Sequence, residues 1–331
     1  MTFRSYFSIQ AFLLFFLLFV SSVIQAKPFK VLVVMSYEEN NPWCMEIKQG
    51  IDSVLGKNSN ISYFYMDTKV NLAGGKEKSK QAFDLYQELK PDGVITVDDN
   101  AQSMFVLPYL KDKVTTPIMF SGVNAAADKY GYPNSHISGI LERGHVRESI
   151  AFLKQLQPSF SNISFIVKES PSGHALKKQV ESESSSYLAK VKGFHLVKTT
   201  EELKQVSTGL KKESDAIFID SVEGITDNNG KKLVNKDVLS ELAGNFAGPI
   251  IGANKYHVDQ GVLSAVVKTG QEQGSTAASM LLKAMQGEKL SAIPVTQNYQ
   301  GRRYINVSTM DALGIIPRPI VLRGASLVRT K

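Results

Sequence analysis

The chain has 331 residues, with 38 Lys or Arg against 31 Asp or Glu, for a formal charge of +7 at pH 7. Its only cysteine, Cys44, excludes an intrachain disulfide in any redox compartment. The basic residues are scattered through helical segments (Lys76, Lys78, Lys80; Lys177, Lys178; Lys211, Lys212; Lys231, Lys232) and form no stripe with interleaved aromatics, so nothing supports nucleic-acid binding.

Residues 1–26 place Arg4 ahead of an apolar core at 11–20 and end on Ile24-Gln25-Ala26, a small residue suited to cleavage. That is the pattern of a secretory signal peptide. The apolar run is shorter than the roughly 20 residues a spanning helix needs, and no cysteine stands at the cleavage point to carry a lipid. The alternative is an uncleaved anchor helix. The chain is therefore expected to be exported to the periplasm and to start near Lys27. What remains is about 305 residues, enough for two domains of ordinary size.

Residues 29–35 form a β-branched apolar run of the kind found in a strand buried on both faces. Trp43, Ile47, Gly50, Ile51, Val54 and Leu55 then recur at helical spacing. Between strand and helix lies a polar loop holding Ser36, Tyr37 and Pro42. In an open parallel sheet the loop after a strand's carboxyl end is where ligands sit. The alternation continues with a strand at 61–66 and a helix at 76–89. A strand at 93–97, a helix at 101–110 and a strand at 117–120 follow. Repeats of this length call for a parallel sheet with helices on both sides. Its strand ends collect Ser36, Tyr37, Asp98, Asp99, Ser121 and Asn124, a polar set suited to a small molecule. Asp99 or Asn100 equally reads as the cap of the next helix. Asp98, nearer the strand end, is the better ligand candidate.

From residue 137 the pattern begins again. A strand at 137–141 leads to Glu142 and a helix at 145–156, then a strand at 163–167. Ser170, Ser172 and Gly173 open a long helix running to about residue 190. Strands at 194–197, 216–220 and 249–253 follow, separated by helices at 200–212 and 233–246, and the last two end at Asp220 and Asn254. The tail adds a strand at 262–267, a helix at 270–286 rich in small residues, two strands at 293–297 and 304–307, and a short helix at 310–313. Glu142, Ser170, Ser172, Gly173, Asp220 and Asn254 complete the candidate ligand set.

Catalytic and cofactor motifs find no support. No P-loop or G-x-G-x-x-G follows the first strand, and no nucleophile elbow or convergent Ser, His and Asp set occurs. The five histidines lack metal-ligand spacing. Asp98 and Asp99, read as neighbours at a strand end, point to opposite faces and make a poor acid/base pair. Cys44 reads as a packed small side chain. Trp43 either stacks on a flat ligand or covers the core, and Tyr37 favours the ligand. No enzyme, cofactor or metal site is expected.

The pattern S-Y-x-x-x-x-P-W-x-x-E-I-x-x-G-I, carried by Ser36, Tyr37, Pro42, Trp43, Glu46, Ile47, Gly50 and Ile51, resembles the opening of one family. These are the ABC-transporter substrate-binding proteins of the tryptophan/tyrosine-type group, and the likeness spans roughly residues 28–317. It implies the type I periplasmic-binding-protein fold, α/β with two doubly wound parallel-sheet lobes joined by a three-stranded hinge. Residues 27–141 with 268–296 would form one lobe, and 142–267 with 297–331 the other. Crossings would fall near Glu142, Lys268 and Gln297.

The resemblance also implies a monomer that clamps a small polar ligand, an amino acid or an aromatic relative, for an ABC permease. Similar domains serve as extracytoplasmic sensors beside histidine kinases and diguanylate cyclases, which keeps a membrane sensor protein as the alternative partner. An amino-acid ligand would set its ammonium on Asp98 or Asp220. Its carboxylate would take donors from residues 121–124 or from the helix start at 170–173. N-terminal sequencing of protein from its native host is expected to begin near Lys27; an intact residue 1–26 segment would refute cleavage.

Overall fold

The computed structural model describes residues 27–330; the signal-peptide reading falls on residues outside that range. The first lobe opens with β1 (Phe29–Met35), α1 (Pro42–Leu55), β2 (Ser59–Tyr65), α2 (Gly75–Leu89) and β3 (Gly93–Val97). It continues with α3 (Asp98–Ala101, extended by wider π-type turns over Gln102–Leu110), β4 (Ile118–Val123) and β5 (Ile137–Leu141). The second holds α4 (Val146–Leu156), β6 (Asn162–Lys168), α5 (Pro171–Glu183), β7 (Lys190–Val197) and α6 (Thr200–Leu210). It is completed by β8 (Ala216–Asp220), α7 (Asn235–Phe246), β9 (Ile250–Gly252), α8 (Lys255–Asp259) and β10 (Ser264–Val267). The tail is α9 (Gly270–Met285), β11 (Thr296–Gln297), β12 (Arg302–Asn306), α10 (Val307–Ala312), α11 (Pro319–Leu322) and β13 (Ala325–Val328).

Two sheets result, ordered β11-β5-β4-β3-β1-β2 and β13-β12-β10-β9-β8-β6-β7. Every pairing is parallel except β10 with β12. Within each sheet the first five strands in sequence take the same spatial order, so the second lobe repeats the first. The chain passes between sheets three times: after β5, after β10 and after β11. This is the doubly wound, two-lobed, three-connection fold expected from the sequence.

Each sheet is buried on both faces, which explains its continuous apolar strands. Val31, Val33 and Met35 pack with α1 and α9 on one side, while Leu32 and Val34 join Phe105, Val106 and Phe120 on the other. In the second lobe Phe165 and Val167 face α4, and Ile166 faces α6 and α7. Successive strand residues thus feed opposite cores.

The opening motif is explained by the helix pair α1 and α9. Asn41 caps α1 by accepting from the backbone N–H groups of Trp43 and Cys44 at 3.0 and 3.4 Å. Glu46 accepts from the Gly270 N–H at 2.8 Å and so caps the start of α9. Gly50 and Gly274 let the two backbones touch: a Cβ on Gly50 would stand 2.3 Å from the Gln271 carbonyl oxygen, and one on Gly274 would stand 2.1 Å from that of Ile47. Although α9 follows the second lobe in sequence, this contact returns it to the first.

Some expected bounds shift. The helix expected from residue 101 begins at Asp98, whose positive φ breaks the strand direction, so Asp98 and Asp99 do not lie on alternate faces of a strand. The helix expected to reach residue 190 ends at Glu183, and β7 begins at Lys190, seven residues after it. The strand expected to stop at Phe120 runs to Val123. Apolar pattern alone underspecified α8, α11 and β13, which at four or five residues are too short to show a period.

Gly274→Ala is expected to lower stability in denaturant titration by about 1–3 kcal/mol, because backbone atoms cannot yield to a Cβ there. Gly244→Ala in α7, where nothing lies within 4 Å of the new Cβ, should raise it by about 0.5–1 kcal/mol through helix propensity.

Candidate functional site

In a sheet of order 2-1-3-4-5 the crevice opens at the switch point between the first and third strands. Here that point lies between β1 and β3 in one lobe and between β6 and β8 in the other. The strand-exit loops beside it carry Tyr37 and Asp98 in the first lobe, and Ser170 and Asp220 in the second. A cavity of about 780 Å³ lies between the lobes, with Asn124, Glu142 and Arg143 on its first-lobe side. Ser172, Asp220, Asn254 and Lys268 face them from the second.

Its floor is charged. Glu142, on the first connection, is 7% exposed, and its carboxylate pairs with the Lys268 ammonium on the second connection. The Asn124 side-chain amide donates to Glu142 Oε2 at 3.3 Å. Burial alone would push Lys268 down, but Glu142, Asp220 and Asp98 together hold its ammonium above the ordinary lysine range. Asp220 ends β8 and accepts from Asn254 Nδ2 at 3.1 Å. Burial raises its proton affinity, only partly offset by Lys268 and by hydrogen bonds from Ser221.

Asp98 lies beneath this floor at 3% exposure, and its Oδ2 has no hydrogen-bond partner among the described residues. Burial, then the charges of Glu142 and Asp99, push its carboxyl well above the usual aspartate range, against the opposing pull of the Trp43 indole and Lys69. Its φ is +67°, and Ser221, at the corresponding exit of the second lobe, has φ +36°. Non-glycine residues held at such φ values carry backbone strain. Tyr37 packs near Asp98 and Glu142, and burial and their charges keep its hydroxyl protonated. Lys69 lies 5.0 Å above its ring.

The other candidates are committed to holding the scaffold. Ser36 Oγ donates to the Val97 carbonyl at 2.5 Å and accepts from the Ala101 N–H at 2.9 Å. Ser36, and neither Asp99 nor Asn100, therefore serves the start of the helix. Asp99 accepts from the Asn124 and Ala125 N–H groups and from the Tyr130 hydroxyl, fixing the loop after β4. Ser121 is the exception, fully buried with a hydroxyl that has no partner among the described residues. Ser170 caps α5 by accepting from the Gly173 N–H at 3.1 Å, and Gly173 is close against the Lys168 carbonyl. Trp43 is partly buried against the core and turns its indole toward Asp98. Burial, then Asp98, pushes the Cys44 thiol up to about 12, leaving it inert at neutral pH.

Asn124, Glu142, Ser172, Asp220 and Asn254 thus meet in one cavity, with Tyr37 and Asp98 close behind it. Sequence reasoning did not single out Lys268 and Arg143 as site residues, although each follows the end of a strand at a crossing. Among the described residues the Arg143 guanidinium bonds only to backbone carbonyls, including those of Asn124 at 3.0 Å and Glu142 at 2.7 Å. Among the described residues no cluster of His, Cys, Asp and Glu could hold a metal, and no helix is long and apolar enough to cross a membrane.

A family model described as ABC transporter substrate binding protein matches residues 99–328. Among solved structures, an ABC domain in complex with L-Trp from Streptococcus pneumonia is 19% identical with a TM-score of 0.55, covering 91% of this chain and 99% of that one. A ligand-free, open substrate binding protein with adhesive properties from Clostridium difficile is 18% identical with a TM-score of 0.68, covering 92% and 100%. A mutant XylFII–LytSN complex is 14% identical with a TM-score of 0.57, covering 83% and 97%. No curated protein matches the chain.

An acid whose proton affinity is raised by folding costs stability once it ionises. The ligand-free chain should therefore lose stability as pH rises from the ordinary aspartate range through Asp98's elevated value. Asp98→Asn is expected to flatten that profile and to stabilise the empty protein at neutral pH by on the order of 1 kcal/mol, read from thermal melts across pH.

Proposed function

The chain belongs to the ABC transporter substrate binding protein family, and from that premise we propose that it is an exported, monomeric receptor for a small ammonium-bearing solute. An amino acid fits best, delivered to an ABC importer after residues 1–26 are removed. One observation carries the reading: three largely buried carboxylates, Asp98, Glu142 and Asp220, act on the Lys268 ammonium, which pairs directly with Glu142 and leaves Asp98 and Asp220 without a directly paired cation among the described residues. A ligand ammonium entering between Asp220 and Asp98 would balance that charge. The exposed Lys129 and Lys178, together with the Ser172 hydroxyl, line the rim and would suit a carboxylate. Because contacts come from both lobes, the ligand favours the closed form by its differential affinity, and closure is what a membrane partner reads.

A second reading is that closure reports to a membrane sensor protein. It is supported by the fold likeness to a chain of the XylFII–LytSN complex. Neighbouring genes for a permease and ATPase, as against a kinase or cyclase, separate the two.

Mass spectrometry of the solute released on unfolding should find a compound with a cationic nitrogen; a purely anionic or neutral solute would overturn the proposal. In titration calorimetry with that solute, Asp220→Asn is expected to weaken binding by about 2–5 kcal/mol, since the ligand charge loses its buried partner. Wild-type affinity would place the site elsewhere.

A further inference from the structure

Five of the eight arginines fall in the last thirty residues: Arg302, Arg303, Arg318, Arg323 and Arg329. The same stretch holds one acidic residue, Asp311. All five arginines are exposed, and among the described residues none forms a salt bridge. The Arg303 guanidinium rests on the Phe152 ring, 5.2 Å from its centre. Aliphatic side chains stand exposed among them: Ile316 at 94%, Ile320 at 63% and Leu327 at 57%.

The fold gathers these residues. β13 is the edge strand beside β12, with Arg303 opposite Ala325 and Ile305 opposite Leu327. Arg323, two residues before β13, therefore lies beside the start of β12, where Arg302 and Arg303 project to the two faces of the sheet edge. α11 is bounded by Arg318 and Arg323 and exposes Ile320 between them. Because β12 also receives the third connection between lobes, the patch sits at the hinge-side edge of the second lobe. The opposite edge of that sheet is β7.

We propose that this edge is a docking surface for an anionic phospholipid bilayer. Guanidinium groups match phosphate geometry and are less strongly hydrated than ammonium. Aliphatic side chains interspersed with cations suit the boundary between headgroups and acyl chains. Protein-binding patches instead centre on Trp or Tyr anchors in pockets, whereas this patch holds no Trp, its Tyr304 is half-buried beneath Lys255, and the exposed Tyr299 lies ahead of it on the connection. A chain held by this edge keeps the interlobe cavity clear, because the patch shares no residue with its lining. The proposal needs the export reading for access to a membrane's outer face, but does not depend on which solute is bound.

The test is co-sedimentation of the chain from Lys27 onward, which contains every element described, with lipid vesicles. Phosphatidylglycerol mixed into phosphatidylcholine is expected to retain it, and phosphatidylcholine alone is not; high salt should release it. Arg318→Glu with Arg323→Glu should weaken partitioning by about tenfold or more. Ile316→Ser with Ile320→Ser should weaken it by a smaller factor. Lys211→Glu with Lys212→Glu makes the same charge change at the end of α6 and should lower partitioning far less. Equal loss from both charge reversals would mean attraction by net charge alone and would overturn the proposal. So would retention by neutral vesicles, or no retention by any. Retention of the arginine variant at wild-type level would do the same. Thermal melts confirm that each variant is folded.

Discussion

Glu142 and Lys268 form the contact on which the two-lobed arrangement turns. They lie on the first and second connections, so one ion pair joins two of the three strands that hold the lobes. Partly buried pairs of this kind add little net stability, because desolvation offsets attraction, but removing one partner strands the other. The pair ties the first connection to the second, and its ammonium also feels the charges of Asp220 and Asp98 from the two lobes.

The third connection is tied to the other two by amides. Asn298 accepts from the Arg143 N–H at 2.7 Å and donates to the Arg143 carbonyl at 2.9 Å. Gln273 of α9 donates to Asn298 Oδ1 and to the Leu141 carbonyl and accepts from the Gly122 N–H. Glu272 Oε1 accepts from the Tyr299 and Gln300 N–H groups, both at 2.8 Å. Neighbouring residues at the start of α9 therefore anchor the hinge to the first lobe. This is possible only because Gly50, Gly270 and Gly274 bring α9 against α1. Close helix packing and hinge geometry are one construction, and the motif around Trp43 and Glu46 is its visible part.

The site follows from this frame. Strand order sends the exits of β3 and β8 to the crevice, and both exits use left-handed residues. The buried acids there carry a raised proton affinity, and the proposed ligand of opposite charge would relieve them. On the proposed reading, occupancy is coupled to closure, since the charge would be balanced only when both lobes reach the ligand.

Much of the fold was legible in the sequence. Continuous β-branched runs such as 31–35 mark strands buried on both faces, and their alternation with amphipathic helices is local information that dictates parallel sheets. The polar residues at strand ends were also legible by position, Asp98, Asp220 and Asn254 among them. Their partners were not. Ser36 and Asp99 have the same residue chemistry as ligand contacts, yet their oxygens are occupied by the Ala101, Asn124 and Ala125 N–H groups. Lys268 is an ordinary lysine in sequence and becomes the counter-charge of the floor only beside Glu142, 126 residues earlier. Periodicity reports which face of an element is buried, because that depends on near neighbours. Which polar atom is left without a partner depends on groups brought together from distant parts of the chain, and only the tertiary structure decides it.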